Sequence, residues 1–394
     1  MIIVKLLFCL LFIYLAVSIL YLLVVALAGR LGSVPSYGIH PVKGNIAVII
    51  PAYREDAVII DTARNASCHN YPANRYRVIV VADKLQPATI AQLRLLPVTV
   101  LEADLNMKSR SVHAALQHLD ENSFEIAVIL DADNVMGNNC LEKINDAFQQ
   151  GCRAVQCHRT AKNQQTAVAL LDAVSEEINI NLFRRGPAVL GIGAAPVGSG
   201  MAFSFGLLKE IFSAAPILNN PGEDREIDLH LMKRGIFMHF IEDAYVYDEK
   251  VADSGVFEKQ RVRWLEAQVN HVRRFFDDDI KEAPGTVAYY CKFFQNLILP
   301  RLLLILLLGV LFLLLICQWF FSFQIVWPQA LYWYSIIGAY LLVLIASVPG
   351  RFYTIKTLKA VLQVPALMLA MLKAVLKIKS SRKEFLHTPK AFKP

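Results

Sequence analysis

The chain has 394 residues, 55% of them apolar, a formal net charge of +7 and a positive mean hydropathy. That length exceeds one average soluble domain, and the apolar excess gathers at the two ends, as in a membrane protein with one soluble domain between its spans. Seven cysteines show no CxxC spacing, which argues against a zinc cluster or a disulfide framework. The charge has no interleaved aromatic and basic face, so nucleic acid is not an expected partner, and the basic tail at 373–393 suits anionic lipid headgroups instead.

Residues 2–28 are predominantly apolar, with Lys5 as the one charged residue. A signal peptide has an apolar region of only about 7–15 residues, so the stretch 1–29 reads as an uncleaved transmembrane anchor. From 45 to 283 short apolar runs alternate with helical patterns, which predicts a sheet with covering helices, an α/β domain. Residues 46–51, 77–82, 98–102 and 126–130 read as buried strands; 56–68 and 107–119 read as the helices between them. The sequence then predicts an interfacial helix at 284–300. Residues 302–350 contain no charge, which predicts spans at 301–326 and 330–349 about a turn near Trp327. Arg301 precedes this pair, while Arg351, Lys356 and Lys359 follow it, so the flanks and the α/β domain are expected to be cytosolic. The stretch 355–394, with Pro365 inside an apolar run and lysines beyond, reads as an interfacial or re-entrant helix and a basic cytosolic tail.

Ligands of such sheets bind beyond the carboxyl ends of the strands. Polar chemistry follows three of them: Pro51-Ala52-Tyr53-Arg54-Glu55, Asp83, and Asp131-Ala132-Asp133. The last triplet places two carboxylates where both can reach one hard cation, Mg²⁺ or Mn²⁺. Farther on, Gly222-Glu223-Asp224 stands at the start of a helical pattern, and Gln260, Arg263 and Trp264 share a helix face at i, i+3 and i+4. An arginine and an indole on one face suit a pyrophosphate and a sugar ring.

A lone Asp, a DxD, a Glu-Asp pair and a QxxRW, in this order, resemble the family 2 glycosyltransferases, especially the membrane-integrated synthases of cellulose, hyaluronan, chitin and poly-N-acetylglucosamine. The resemblance implies a GT-A, Rossmann-like fold with transmembrane helices at both ends, in the bacterial inner membrane. It implies a UDP-sugar donor bound by Pro51, Ala52, Tyr53, Glu55, Asp83, Lys108 and Asp131, with the metal on Asp131 and Asp133. It makes Asp224 the general base of an inverting reaction beside Glu223. It places Gly200, in the small-residue stretch 198–201, on the acceptor side with Gln260, Arg263 and Trp264. Asp248-Glu249-Lys250 looks like a further family element with no assigned role, and 385–390 resembles a terminal element of related synthases. Arg54 and His113 stand where the family has Asn, and Met107 where a Gly commonly precedes the lysine.

The QxxRW element favours elongation of a β-linked polysaccharide or oligosaccharide, with transfer of one sugar to a lipid acceptor as the alternative. About three spans leave little protein to line a polar path. A secreted polymer would therefore call for a homo-oligomer or an export subunit.

Overall fold

The computed structural model describes residues 2–220, 222–250, 254–277, 286–322 and 325–376. The expected tail at 377–394, including the element at 385–390, lies outside the described residues, as does part of the turn near 324.

A mixed sheet of eight strands forms the centre, in the order β3-β2-β1-β4-β7-β6-β8-β5. The strands are β1 Ile46–Tyr53, β2 Tyr76–Asp83, β3 Thr99–Ala103, β4 Ile126–Ile129, β5 Val135–Met136, β6 Ala154–Ala161, β7 Met201–Ser204 and β8 His239–Asp248. The four expected strands are β1 to β4, all parallel, so their carboxyl ends lie along one edge; β1, β2 and β4 are buried, whereas β3, expected to be buried, is the outer strand of the sheet and only half-buried because one of its edges has no neighbour. β7 runs antiparallel to both β4 and β6, and the small-residue loop that enters it therefore arrives at that same edge. Ile46, Val48 and Ile50 point to one apolar layer, Ala47 and Ile49 to the other, as strand alternation requires. Both faces are covered, which is why the runs read as continuously apolar.

The helices are α1 Ile2–Leu31, α2 Ile59–Ala66, α3 Pro87–Leu93, α4 Lys108–His118, α5 Cys140–Gln149, α6 Ala167–Ile180, α7 Gly186–Val189, α8 Phe205–Phe212, α9 Ala215–Leu218, α10 Glu223–Lys233, α11 Ser254–Arg274, α12 Val287–Leu297, α13 Arg301–Phe320, α14 Ala330–Ser347, α15 Ile355–Val361 and α16 Val364–Leu376. α2 begins three residues later than the sequence pattern suggests, because Asp56 instead accepts the Gln86 amide at 2.8 Å across the loop edge. A π-helical turn, Asn181–Arg185, joins α6 to α7.

Among the described residues α1, α13 and α14 are long and apolar enough to cross a membrane; α15 and α16, bent by 46°, would make a fourth span if taken as one. Pro365, without an N–H, cannot continue the helical hydrogen bonding across that bend. α1, α13 and α14 share an apolar core of Leu15, Ile19, Leu304, Leu308, Trp333 and Val343, with Phe12 edge-on to Trp333 at 5.2 Å.

The domain-facing ends of all three helices converge on α6 and its π turn. Asn181 Nδ2 donates to the Ala26 carbonyl of α1 and to Ser347 Oγ of α14, each at 3.1 Å. Arg301, at the start of α13, donates to the Ser175 carbonyl at 3.0 Å, and Arg351 pairs with Glu177.

The approach of α1 to α7 depends on Gly186, where a Cβ would clash with the Val25 carbonyl oxygen. Gly186→Ala should cost about 2 kcal/mol, the scale of overpacking a closed interface. Gly38→Ala, with nothing within 4 Å of the added carbon, should leave stability unchanged. Thermal unfolding of the detergent-solubilised chain distinguishes the two.

Candidate active site

Three residues at the carboxyl edge of the sheet adopt the left-handed conformation without being glycine: Arg54, Lys84 and Asn106, with φ of 55°, 57° and 59°. Each costs on the order of 1 kcal/mol, and the edge is tied together against that cost. The Arg54 amide donates to the Asp83 carbonyl at 3.0 Å. The Asp83 carboxylate is fully buried and accepts the amides of Leu105 and Asn106 at 3.1 and 2.7 Å. Asp83 thus shapes the loop that leads into α4. Tyr53 opposes Asp83 in the parallel register, and the Arg54 guanidinium lies 5.2 Å from the Tyr53 ring centroid. Glu55 follows at the turn into α2, its carbonyl accepting the amides of Val58 and Ile59.

Lys108, the first residue of α4, sends its ammonium into the crevice. Nζ lies 2.6 Å from Asp131 Oδ1 and 2.9 Å from Glu223 Oε1, and donates to the Gly198 carbonyl at 2.6 Å. One cation therefore joins the end of β4, the start of α10 and the loop before β7. Burial disfavours its charge, but Asp131 and Glu223 more than offset this and raise its pKa. Glu223 shifts upward: burial, with Asp224 and Asp131 adding, outweighs the opposing effect of Lys108.

Asp131 and Asp133 flank a tight turn in which the Asn134 amide donates to the Asp131 carbonyl at 3.0 Å. Ser199 Oγ accepts the Asp131 amide at 2.9 Å and Asn134 Nδ2 at 2.7 Å, which locks the turn to the loop before β7. Among the described residues no three His, Cys, Asp or Glu side chains converge as a preformed metal cluster. Two aspartates still fit Mg²⁺ or Mn²⁺, since such an ion commonly takes one or two carboxylates and completes its shell with phosphate and water oxygens.

Glu223, Asp224 and Glu226 fill the first turn of α10, where the helix dipole favours carboxylates. Asp224 Oδ2 would lie 3.9 Å from a Cβ at Gly198, whose φ is +83°. The space against the carboxylates thus exists because residue 198 has no side chain. At Gly200 the added carbon would instead meet Val246 Cγ2 at 2.9 Å, so that glycine makes room for a β8 side chain beside the start of β7.

Gln260, Arg263 and Trp264 lie on α11. Burial lowers the Arg263 pKa, opposed by the charges of Glu223, Asp131 and Asp224, so this guanidinium lies within electrostatic reach of the carboxylates that Lys108 bridges. Gln260 Oε1 is buried with no hydrogen-bond partner among the described residues. The Arg261 guanidinium covers the Trp264 ring at 4.1 Å and donates to Asp172 of α6 at 2.6 Å. No sequence signal points to Arg159, Arg184 and Gln156, which hold the loop before β7, or to the contacts that Arg261 and Ser199 make from within their motifs. The hydrogen bonds that tie them to that loop, to α6 and to the Asp131 turn join residues 11 to 89 apart in the chain, and no spacing signals them.

Removing the Lys108 ammonium leaves Asp131 and Glu223 facing each other. Lys108→Met should destabilise the protein by about 3 kcal/mol, as for a broken buried pair, and Glu223→Gln in the same chain should recover part of that loss. Denaturant unfolding of both variants measures it.

Residues 43–267, more than half of the chain, match the family described as glycosyltransferase like family 2. Among solved structures, the mannosyltransferase PcManGT from Pyrobaculum calidifontis, in complex with GDP-Man and Mn²⁺, aligns over 95% of this chain and 98% of its own, with 15% identity and a TM-score of 0.56. Residues 1–349 of S. aureus TarS align over 84% of this chain and 91% of their own, with 14% identity and a TM-score of 0.43. No curated protein matches the sequence. The likeness to the mannosyltransferase shows a GT-A fold.

Proposed function

The chain belongs to the glycosyltransferase like family 2, and from that premise we propose that it is an inverting transferase moving one sugar from a nucleoside diphosphate to an acceptor presented at the membrane surface. The observation that carries this is the three-way contact of Lys108 with Asp131, Glu223 and Gly198. It joins the elements expected to bind the donor's phosphates to those expected to receive the acceptor.

Pro51, Ala52, Tyr53 and Glu55 at the end of β1, with Asp83 beneath them, form the nucleoside side. Lys108 and Arg263 face the diphosphate and offset its growing charge as the glycosidic bond breaks. Asp131 and Asp133 would hold Mg²⁺ or Mn²⁺, which when bound supplies further positive charge against the diphosphate. Asp224 takes the proton from the acceptor hydroxyl as that oxygen bonds to the anomeric carbon, opposite the departing phosphate oxygen, which keeps the electron pair. Glu223 shares the Lys108 ammonium and sets the field at Asp224. Gln260 and Trp264 lie on the acceptor side with the Gly198–Gly200 loop. UDP is the nucleotide that the family resemblance implies, and the GDP-mannose of the solved neighbour makes guanosine donors the second choice.

A lipid acceptor is favoured by the placement of the crevice. Arg225, next to Asp224, donates to Asn296 of α12 at 2.8 Å, and α12 leads directly into α13. The shared core of α1, α13 and α14 is apolar, which suits lipid better than a threaded saccharide. The second reading, elongation of a β-linked polymer with an oligomer or an export subunit, is supported by the QxxRW element at Gln260 to Trp264.

Asp224→Asn should lower kcat by about 10²–10⁴-fold, the usual contribution of a positioned base, with donor binding retained. Excess EDTA should stop turnover of the reconstituted enzyme, and Mn²⁺ or Mg²⁺ should restore it; undiminished turnover would remove the metal from the reading. A panel of UDP- and GDP-sugars with membrane lipid, followed by mass spectrometry, separates a lipid bearing one sugar from a polymer ladder.

A further inference from the structure

The segment Asp248-Glu249-Lys250 plays no part in the chemistry above, yet Lys250 is buried. Its Nζ donates to Asp248 Oδ2 at 2.8 Å and Glu176 Oε2 at 3.4 Å. Its backbone is clamped on both sides by Asn163, which accepts the Lys250 amide at 2.6 Å and donates to the Lys250 carbonyl at 3.0 Å. Four residues later α11 begins. Glu176 is also the partner of Arg159, whose guanidinium reaches it from Nε and Nη2 at 3.1 to 3.3 Å.

The far side of Arg159 points at the acceptor-side loop. Its Nη1 donates to the Val197 carbonyl at 3.3 Å. The neighbouring carbonyls are held in the same way: Ala195 and Pro196 by Arg184 at 3.0 and 3.2 Å, and Gly198 by Lys108. Four successive carbonyls thus face three cations, while Gln156 Oε1 accepts the Val197 amide at 3.0 Å. The carboxylate shared by Arg159 and Lys250 stays charged, because those two cations and Arg184 overcome the burial that opposes ionisation and hold its pKa at about 2. One turn earlier on α6, Asp172 grips Arg261 within the motif helix.

We propose that Glu176 and Lys250 are positioning residues for sugar transfer, fixing the 195–200 loop against the start of α11 so that the acceptor meets Asp224 at one distance and angle. Neither residue touches the reacting atoms. Glu176 acts through Arg159 on the Val197 carbonyl, and Lys250 acts through its clamped backbone on the helix that carries Gln260, Arg263 and Trp264. This assignment rests on the transferase reading above, and it adds a device that acts chiefly on acceptor alignment.

The test uses the full chain in lipid nanodiscs, as wild type, Glu176→Gln, Lys250→Met and Lys250→Arg, with two readouts. In the first, hydrogen–deuterium exchange at 195–200 and at 254–265 should rise about tenfold in Glu176→Gln and Lys250→Met, the scale of a loosened local unit, with β1 and β2 unchanged. In the second, the acceptor KM should rise about tenfold, within the range for residues coupled in one network, while donor KM, which the same helix touches through Arg263, rises by a clearly smaller factor. Lys250→Arg should restore both. Wild-type exchange at 195–200 in both charge-removing variants would overturn the proposal, as would a parallel fall of every kinetic constant with the melting temperature. If the wild-type chain transfers no sugar from any donor, the transferase reading fails, and the exchange readout by itself decides whether the two segments are coupled.

Discussion

Three carboxylates, Asp131, Glu223 and Asp224, meet where two loops and the start of a helix converge, and their mutual repulsion would open the crevice without a cation among them. Lys108 Nζ supplies that cation through three contacts shorter than 3 Å. The contact is a strong one because it is partly desolvated, so Coulomb attraction falls off less than it would in water. The sheet edge follows from it. Asp131 is fixed at the end of β4, the turn to Asp133 is locked by Ser199, and α10 is drawn in by its first residue. Arg263 then faces a charge distribution that is already set.

Helix α6 performs the complementary task. One set of its residues is turned toward the crevice, where Asp172 holds Arg261 and Glu176 holds Arg159 and Lys250. Ser175, Glu177 and the adjoining Asn181 receive the ends of the apolar helices. Buried charges of this kind contribute little net stability, since desolvation offsets their attraction, but a misplaced partner is costly. The result is an orientation rather than a reserve of stability: the crevice lies at a fixed position relative to the helices that are apolar enough to enter a bilayer.

The left-handed residues at the strand ends show how local sequence and tertiary structure trade. Arg54 stands where the family resemblance would have Asn, a residue that tolerates φ near +55° at less cost. The arginine is accepted because its amide is held by the Asp83 carbonyl. The same logic separates the two loop glycines. Their spacing and smallness were legible as a place for close approach, but only the packing of Val246 against Gly200, and of the carboxylates against Gly198, shows which one faces the crevice.

The sequence by itself determined the apolar runs that make β1, β2 and β4 a parallel buried set, the three apolar helices, and the acidic residues at the strand ends. These are readable because they depend on period, length and residue type within a few positions of one another. The helix of Gln260, Arg263 and Trp264 was readable for the same reason. The tertiary structure decided that Lys108 bridges Asp131 and Glu223, that Arg261 covers Trp264 while holding Asp172, and that Asp248 and Lys250 belong to a network reaching the Val197 carbonyl. The bridges among them, from Lys108 to Asp131 and Glu223, from Arg261 to Asp172 and from Lys250 through Glu176 and Arg159 to Val197, join segments distant in the chain that only the folded arrangement brings together.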